Sequence, residues 1–174
     1  MRQNIYFVGL MAVGKSTIGR LLARSLGRDF FDSDQVIEER AGAPVAWIFD
    51  VEGEQGFRDR EQAVIEELTR KDGIVLATGG GAVLRPANRT ALAGRGCVVH
   101  LDSSVDQLLE RTCRDRHRPI LQVGDRRETL DRLLADRTPL YAEIADYRFF
   151  TDDQSAKALA GRIERTLQDD GVVA

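Results

Sequence analysis

Short apolar runs alternate along the chain with longer stretches in which apolar residues recur every three or four positions. Five runs have strand character: 5–8, 29–32, 74–77, 97–101 and 148–151. Helical spacing fills the intervals. It begins just after the first run, where Ile18, Leu21, Leu22 and Leu26 share a face. Further helical stretches are predicted over 35–40, 45–50, 56–69, 86–93, 105–111, 129–145 and 156–167. In the 56–69 stretch Phe57, Val64, Ile65 and Leu68 form the inner face. Pro86 suits a first helical turn, and Ser155 suits the N-cap of the last helix. Pro139 falls inside the 129–145 pattern, which predicts a break or restart there. Strands alternating with helices imply an α/β fold, a parallel sheet with helices on both faces, and ligands at the carboxyl ends of the strands.

The length of 174 residues suits one domain with a full core. No run approaches a membrane span, and only four residues precede the first strand, so neither a membrane segment nor a signal peptide is expected. Cys97 and Cys113 form no metal or redox spacing: Cys97 reads as core and Cys113 as a free thiol, which fits a reducing cytoplasm. A net charge of −3 argues against a general nucleic-acid binder. Of the 25 basic residues only Lys15, Lys71 and Lys157 are lysines. Arginine is the better residue for forked recognition of phosphate and carboxylate. Arg111, Arg114, Arg116 and Arg118 crowd into eight residues with His117.

Chemistry concentrates just after the strands. Gly9-Leu10-Met11-Ala12-Val13-Gly14-Lys15-Ser16 has the spacing of a phosphate-binding loop, with a strand before it and a helix after it. Its glycines let backbone N–H groups converge on phosphate, Lys15 can reach the outer phosphates, and Ser16 can bind Mg²⁺. Asp32-Ser33-Asp34 ends the second strand. One carboxylate there can steady a Mg²⁺ shell and another can accept a proton, although Ser33 or Asp34 could instead cap the helix at Gln35. Gly79-Gly80-Gly81 follows the third strand and permits close backbone approach to a ligand. No acid stands at that strand end, which leaves Asp32 as the metal's carboxylate. Arg58 and Glu61 lie three apart on a helix, where a surface ion pair is the plainer reading. Phe49 and Phe57 are either core or a floor beneath a ring-shaped substrate. Trp47 is expected to pack, and His100 to be a hydrogen-bonded core residue. Arg118 could neutralise charge on a transferring phosphoryl group from a closing loop.

Taken in order and spacing, GLMAVGKST at 9–17, DSD at 32–34, EGEQGFRDRE at 52–61, ATGGG at 77–81, RPIL at 118–121, RTPLY at 137–141 and TDDQSA at 151–156 resemble the shikimate kinase family over nearly the whole chain. The resemblance implies a three-layer α/β/α P-loop kinase over 1–174, with a five-stranded parallel sheet in the order 2-3-1-4-5. It also implies a substrate-binding subregion at about 33–61 and a lid at about 112–128. The family moves the γ-phosphate of ATP to the 3-hydroxyl of shikimate, on the route to chorismate and the aromatic amino acids. Carried onto this sequence, Gly9, Met11, Ala12, Val13, Gly14, Lys15, Ser16 and Thr17 would hold ATP, with Arg111, Arg118, Asp153 and Gln154 around them. Ser16 would meet Mg²⁺, with Asp32 behind it. Asp34 would bind shikimate and assist deprotonation beside Lys15 and Arg118. Arg58 and Arg137 would grip the carboxylate, with Glu61 positioning Arg58, and Gly79, Gly80 and Gly81 would complete the acid site. The expected partners are therefore ATP and shikimate, with no nucleic acid or membrane, in a cytoplasmic monomer. Ala12 departs from the glycine that often follows the family's methionine, and Ile120 from its usual lid leucine. The nearest alternative is a gluconate kinase, since gluconate also joins one carboxylate to hydroxyls.

Overall fold

The computed structural model describes residues 3–113, 121 and 124–174. Its sheet has five parallel strands in the order β2-β3-β1-β4-β5. The strands are β1 (Asn4–Val8), β2 (Phe30–Asp32), β3 (Val75–Ala77), β4 (Gly96–Asp102) and β5 (Tyr147–Phe150). Between and after them run α1 (Lys15–Leu26), α2 (Ser33–Ala41), α3 (Val45–Leu68), α4 (Pro86–Arg95), α5 (Val105–Thr112), α6 (Arg126–Ile144) and α7 (Ala156–Asp169).

Strand alternation builds the two cores. In β1, Ile5 and Phe7 face one side, where they join residues of α1, α5 and α7 such as Leu22, Leu108 and Ile163. Tyr6 and Val8 face the other side and join Ile65 and Leu92 from α3 and α4. β1 is paired on both edges, by β3 and β4, and helices cover both its faces, which explains why it reads as a continuous apolar run rather than an alternating one.

Two expectations about the elements need correction, and a third gains a detail. The stretches 45–50 and 56–69 are two helical arms, as expected. They meet within α3 at Gly53, whose non-helical φ of 73° and ψ of 176° suit glycine alone. The helix around Pro139 does not break, because α6 runs on to Ile144. Proline removes the hydrogen bond to the carbonyl of Ala135, but Ala135 and Pro139 are both exposed, so water can take that acceptor. Burial of Leu133 and Arg137 before the proline, and of Tyr141 and Ile144 after it, holds both halves in one line. Trp47 does not pack inside: it is 49% exposed.

Candidate active site

At the end of β1 the chain turns through Gly9, whose φ is 148°. A β-carbon there would collide with the Leu101 carbonyl, so the loop can lie this close to β4 only with glycine. Gly14, at φ 101°, leads into α1, whose first turn carries no acidic residue. The partial positive charge of the helix start is therefore left for an anion. Ala12 adopts a left-handed φ of 64°, a conformation usually left to glycine. Lys15 is buried and its Nζ donates to the Gly9 and Leu10 carbonyls, each at 2.7 Å, which aims the ammonium into the loop. Arg111 crosses over from α5 and donates to the Ala12 carbonyl (3.1 Å), the Val13 carbonyl (3.3 Å) and Thr151 Oγ1 (3.3 Å).

A cavity of about 780 Å³ follows this loop. Residues 11–18 line it, together with Asp32, Asp34, Gly80, Arg111 and Gln154 among others. Its volume is in the range of small-molecule sites. Gly9 and Asp153 are not among the lining residues; Asp153 is exposed, with a left-handed φ of 60°, next to Gln154. Arg114, Arg116, His117 and Arg118 lie outside the described residues.

Asp32 has two tasks. Its Oδ2 accepts from Ser16 Oγ, while its Oδ1 accepts from the backbone N–H of Asp34 (3.0 Å) and Gln35 (3.2 Å). The cap of α2 is thus Asp32, not Ser33 or Asp34. Ser33 Oγ accepts instead from the Gly79 N–H at 3.0 Å.

Four side chains close on the three glycines after β3. A β-carbon on Gly79 would lie 2.7 Å from Asp34 Oδ1 and 2.8 Å from Glu61 Oε2. One on Gly80 would lie 3.5 Å from Arg137 Nη1, and one on Gly81 would strike the Arg58 guanidinium. Arg58 donates to Glu61 Oε1 at 2.9 Å, and both residues are buried, so this is no surface ion pair. The rings of Phe49 and Phe57 lie 4.7 Å apart, and the guanidinium sits 5.9 and 5.2 Å from their respective centroids. The two aromatics therefore back Arg58. Arg137 and Tyr141 are buried one turn apart on α6, and the Tyr141 hydroxyl donates to the Gly80 carbonyl. In the sequence Tyr141 stands only as the last residue of RTPLY at 137–141, with no role attached. Its place four residues after Arg137 was the available signal.

Three buried polar atoms in this corner, Asp34 Oδ1, Glu61 Oε2 and Arg58 Nε, have no hydrogen-bond partner among the described residues. Such atoms are costly unless something polar meets them, and the two carboxylate oxygens lie within 2.8 Å of one β-carbon position at Gly79. Burial pushes the Asp34 carboxyl up to about 7, with the charges of Glu61 and Asp32 adding to it and Lys15 and Arg58 pulling back. Burial also raises Glu61, while Arg58 and Arg137 lower it. His100 is in the core, but its Nδ1 lacks a hydrogen-bond partner among the described residues, and burial pulls its pKa down to about 4, so the ring is neutral.

A glycine loop and lysine at a helix start, joined to a buried arginine and carboxylate cluster, define a P-loop phosphotransferase with an acidic acceptor site. The family model described as shikimate kinase matches residues 11–168. A shikimate kinase of Vibrio campbellii is 55% identical over 168 residues, covering 97% of this chain and 98% of its own. The structure of an Acinetobacter baumannii shikimate kinase in complex with shikimate superposes with a TM-score of 0.94 at 48% identity, covering 97% of this chain and 94% of its own. A gluconokinase from Sinorhizobium meliloti superposes at 0.55 with 19% identity over 97% of each chain, a likeness of fold alone. The chain belongs to the shikimate kinase family.

Proposed function

We propose that the loop cavity and the glycine corner are the two halves of one site, in which the terminal phosphoryl group of ATP passes to the 3-hydroxyl of shikimate. Family membership makes the chain an ATP-using kinase of shikimate, in aromatic amino acid biosynthesis. The observation that carries the residue assignment is the convergence of Asp34, Glu61, Arg58 and Arg137 on residues 79–81, directly beside the phosphate loop. Gly80 is the contact point, since its β-carbon position lies 3.2 Å from the Met11 backbone nitrogen.

On this reading residues 9–17 cradle the phosphates, and Lys15 turns from its loop carbonyls to the phosphate oxygens. Arg111 and Gln154 border the base, with Asp153 on the rim. Arg58 and Arg137 take the acceptor's carboxylate in forked, charge-assisted hydrogen bonds. Glu61 holds Arg58 from behind, and the backbone of residues 79–81 closes the pocket. Asp34 faces the acceptor hydroxyls and takes the proton as the phosphoryl group arrives. A carboxyl poised near neutrality suits that task, since it is often ionised yet basic enough to receive a proton. Transfer of this kind needs chiefly alignment and charge stabilisation.

The Ser16 hydroxyl and the Asp32 carboxylate, already bonded to each other, fit Mg²⁺, which binds few protein oxygens alongside phosphate and water. Bound there, the ion would neutralise phosphate charge. Arg118 would reach the phosphates from the lid segment of about 112–128, and residues of about 33–61 would form the acceptor subregion. We further assign the chain to the cytoplasm as a monomer that handles small molecules, without nucleic acid or membrane. Its net charge of −3 argues against a general nucleic-acid binder, and no helix among the described residues is long and apolar enough to cross a membrane.

The test is ADP formation from Mg-ATP with shikimate, gluconate, AMP or no acceptor. Shikimate-dependent turnover with 3-phosphoshikimate identified by mass is expected. Turnover with gluconate in its place would overturn the acceptor assignment and leave the phosphate loop standing.

A further inference from the structure

We propose that Tyr141 is a positioning residue of the acceptor site, acting through the backbone of the glycine loop rather than by touching the substrate. The proposal rests on the reading that residues 79–81 receive the acceptor. Three successive glycines have no side chains with which to fix their own course, and they lose much conformational freedom on ordering. Something outside the loop must therefore set its register against Asp34, Arg58 and Arg137.

The structure supplies two ties. Tyr141 is 1% exposed, and its hydroxyl donates to the Gly80 carbonyl at 2.5 Å. Ser33 is fully buried, and its Oγ accepts from the Gly79 N–H at 3.0 Å. One tie comes from α6 and the other from α2, so consecutive glycines are held by different elements. Neither Tyr141 nor Ser33 lines the nucleotide cavity.

Tyr141 is itself firmly seated. The His100 ring lies 5.0 Å away at a 36° tilt and backs the phenol without adding charge. Burial holds the phenol well above its ordinary pKa, so the hydroxyl remains a donor, and the nearby Arg137 guanidinium offsets only part of that rise. Arg137 is one turn earlier on the same helix face, and its Nη1 approaches the β-carbon position of Gly80. The same turn of α6 thus carries a carboxylate-gripping arginine and the tether of the loop opposite it. Loosening the tether should disturb the distance between them, which bears on the acid more than on the nucleotide, whose cavity Gly80 only borders beside Met11.

Tyr141→Phe keeps the ring and removes only the hydroxyl, so that the half-buried Gly80 carbonyl loses this donor and Arg137 loses its hydrogen bond to the phenol oxygen. Steady-state kinetics with each substrate varied is the test. The KM for shikimate should rise roughly 5- to 30-fold, the scale of one lost buried hydrogen bond, while the KM for ATP stays within about twofold. Ser33→Ala, which releases the neighbouring peptide, should shift the same parameter in the same direction, and it carries the test alone if Tyr141→Phe fails to fold. An unchanged KM for shikimate would overturn the proposal, as would parallel rises for both substrates. The unsubstituted chain is assayed alongside. Failure of that chain to use shikimate would strike the site reading itself, whereas a normal parent with an unaltered variant would strike only the role of Tyr141.

Discussion

With Asp34 as the proposed base, the poor solvation that makes it a better one sets activity and stability against each other. Its carboxyl stands at about 7 against an ordinary 3.8, chiefly through burial and then through the charges of Glu61 and Asp32. Catalysis needs the ionised form, so kcat/KM for shikimate should climb with pH and level off above about 7. Stability should run the other way. Between the ordinary value and 7 the folded chain holds a proton that the unfolded chain has released, so the contribution of this group falls as pH rises through that window. Asp34→Asn should lower turnover by about 10²- to 10⁴-fold and flatten that part of the stability profile, as read by denaturant titration at several pH values. A variant that keeps its turnover would remove Asp34 from the proton's path. At this scale the residue types were legible and their surroundings were not. The i,i+3 spacing of Arg58 and Glu61 says that they can pair. It does not say that tertiary packing buries the pair, nor that Phe49 and Phe57 back it.

At the scale of elements, the kink in α3 brings the acceptor side together. The helix could not run straight through Gly53 and still stack Phe49 on Phe57 beneath Arg58. A β-carbon at Gly53 would meet nothing within 4 Å, so the constraint there is the φ and ψ of the backbone rather than space. Gly53→Ala should cost about 1–3 kcal/mol, seen as a lowered thermal midpoint, and should weaken shikimate binding as the two arms shift. An unchanged midpoint would mean that the kink is not under conformational strain. The two arms were readable separately because each has apolar residues at helical spacing. Their union was not, since the residues between them, from Val51 to Gln55, are exposed and mostly polar and give no period to follow. Pro139 misled for a related reason. Local propensity favours a break, but residues buried on both sides of the proline hold the helix in one line, and the position of the proline on the solvent face lowers the cost.

Across the whole molecule, the parallel sheet gathers strand ends that are far apart in sequence. Gly9 follows β1, Asp32 ends β2, Gly79 follows β3, and Gln154 lies just beyond β5. Alternation of strands and helices was enough to expect this gathering at one edge. The order of the strands needed the family resemblance, because periodicity carries no information about which strand lies beside which. The resulting geometry sets two subsites side by side, meeting at Gly80 and Met11, and ligand-linked stability can tell them apart. A ligand at about 100 times its Kd stabilises a fold by about 2.7 kcal/mol, which corresponds to a rise of about 5–10 °C in the midpoint for a chain of this size. Lys15→Met should abolish turnover and the rise given by ATP while keeping the rise given by shikimate. Arg137→Ala should do the reverse, losing the response to the acid and retaining that to the nucleotide, each measured against the variant's own midpoint. If both substitutions erased both responses, the two halves would not be separable and the clamp could not be assigned to the acid. Opposite losses would locate the nucleotide on the loop and the carboxylate on the arginines, independently of any rate measurement.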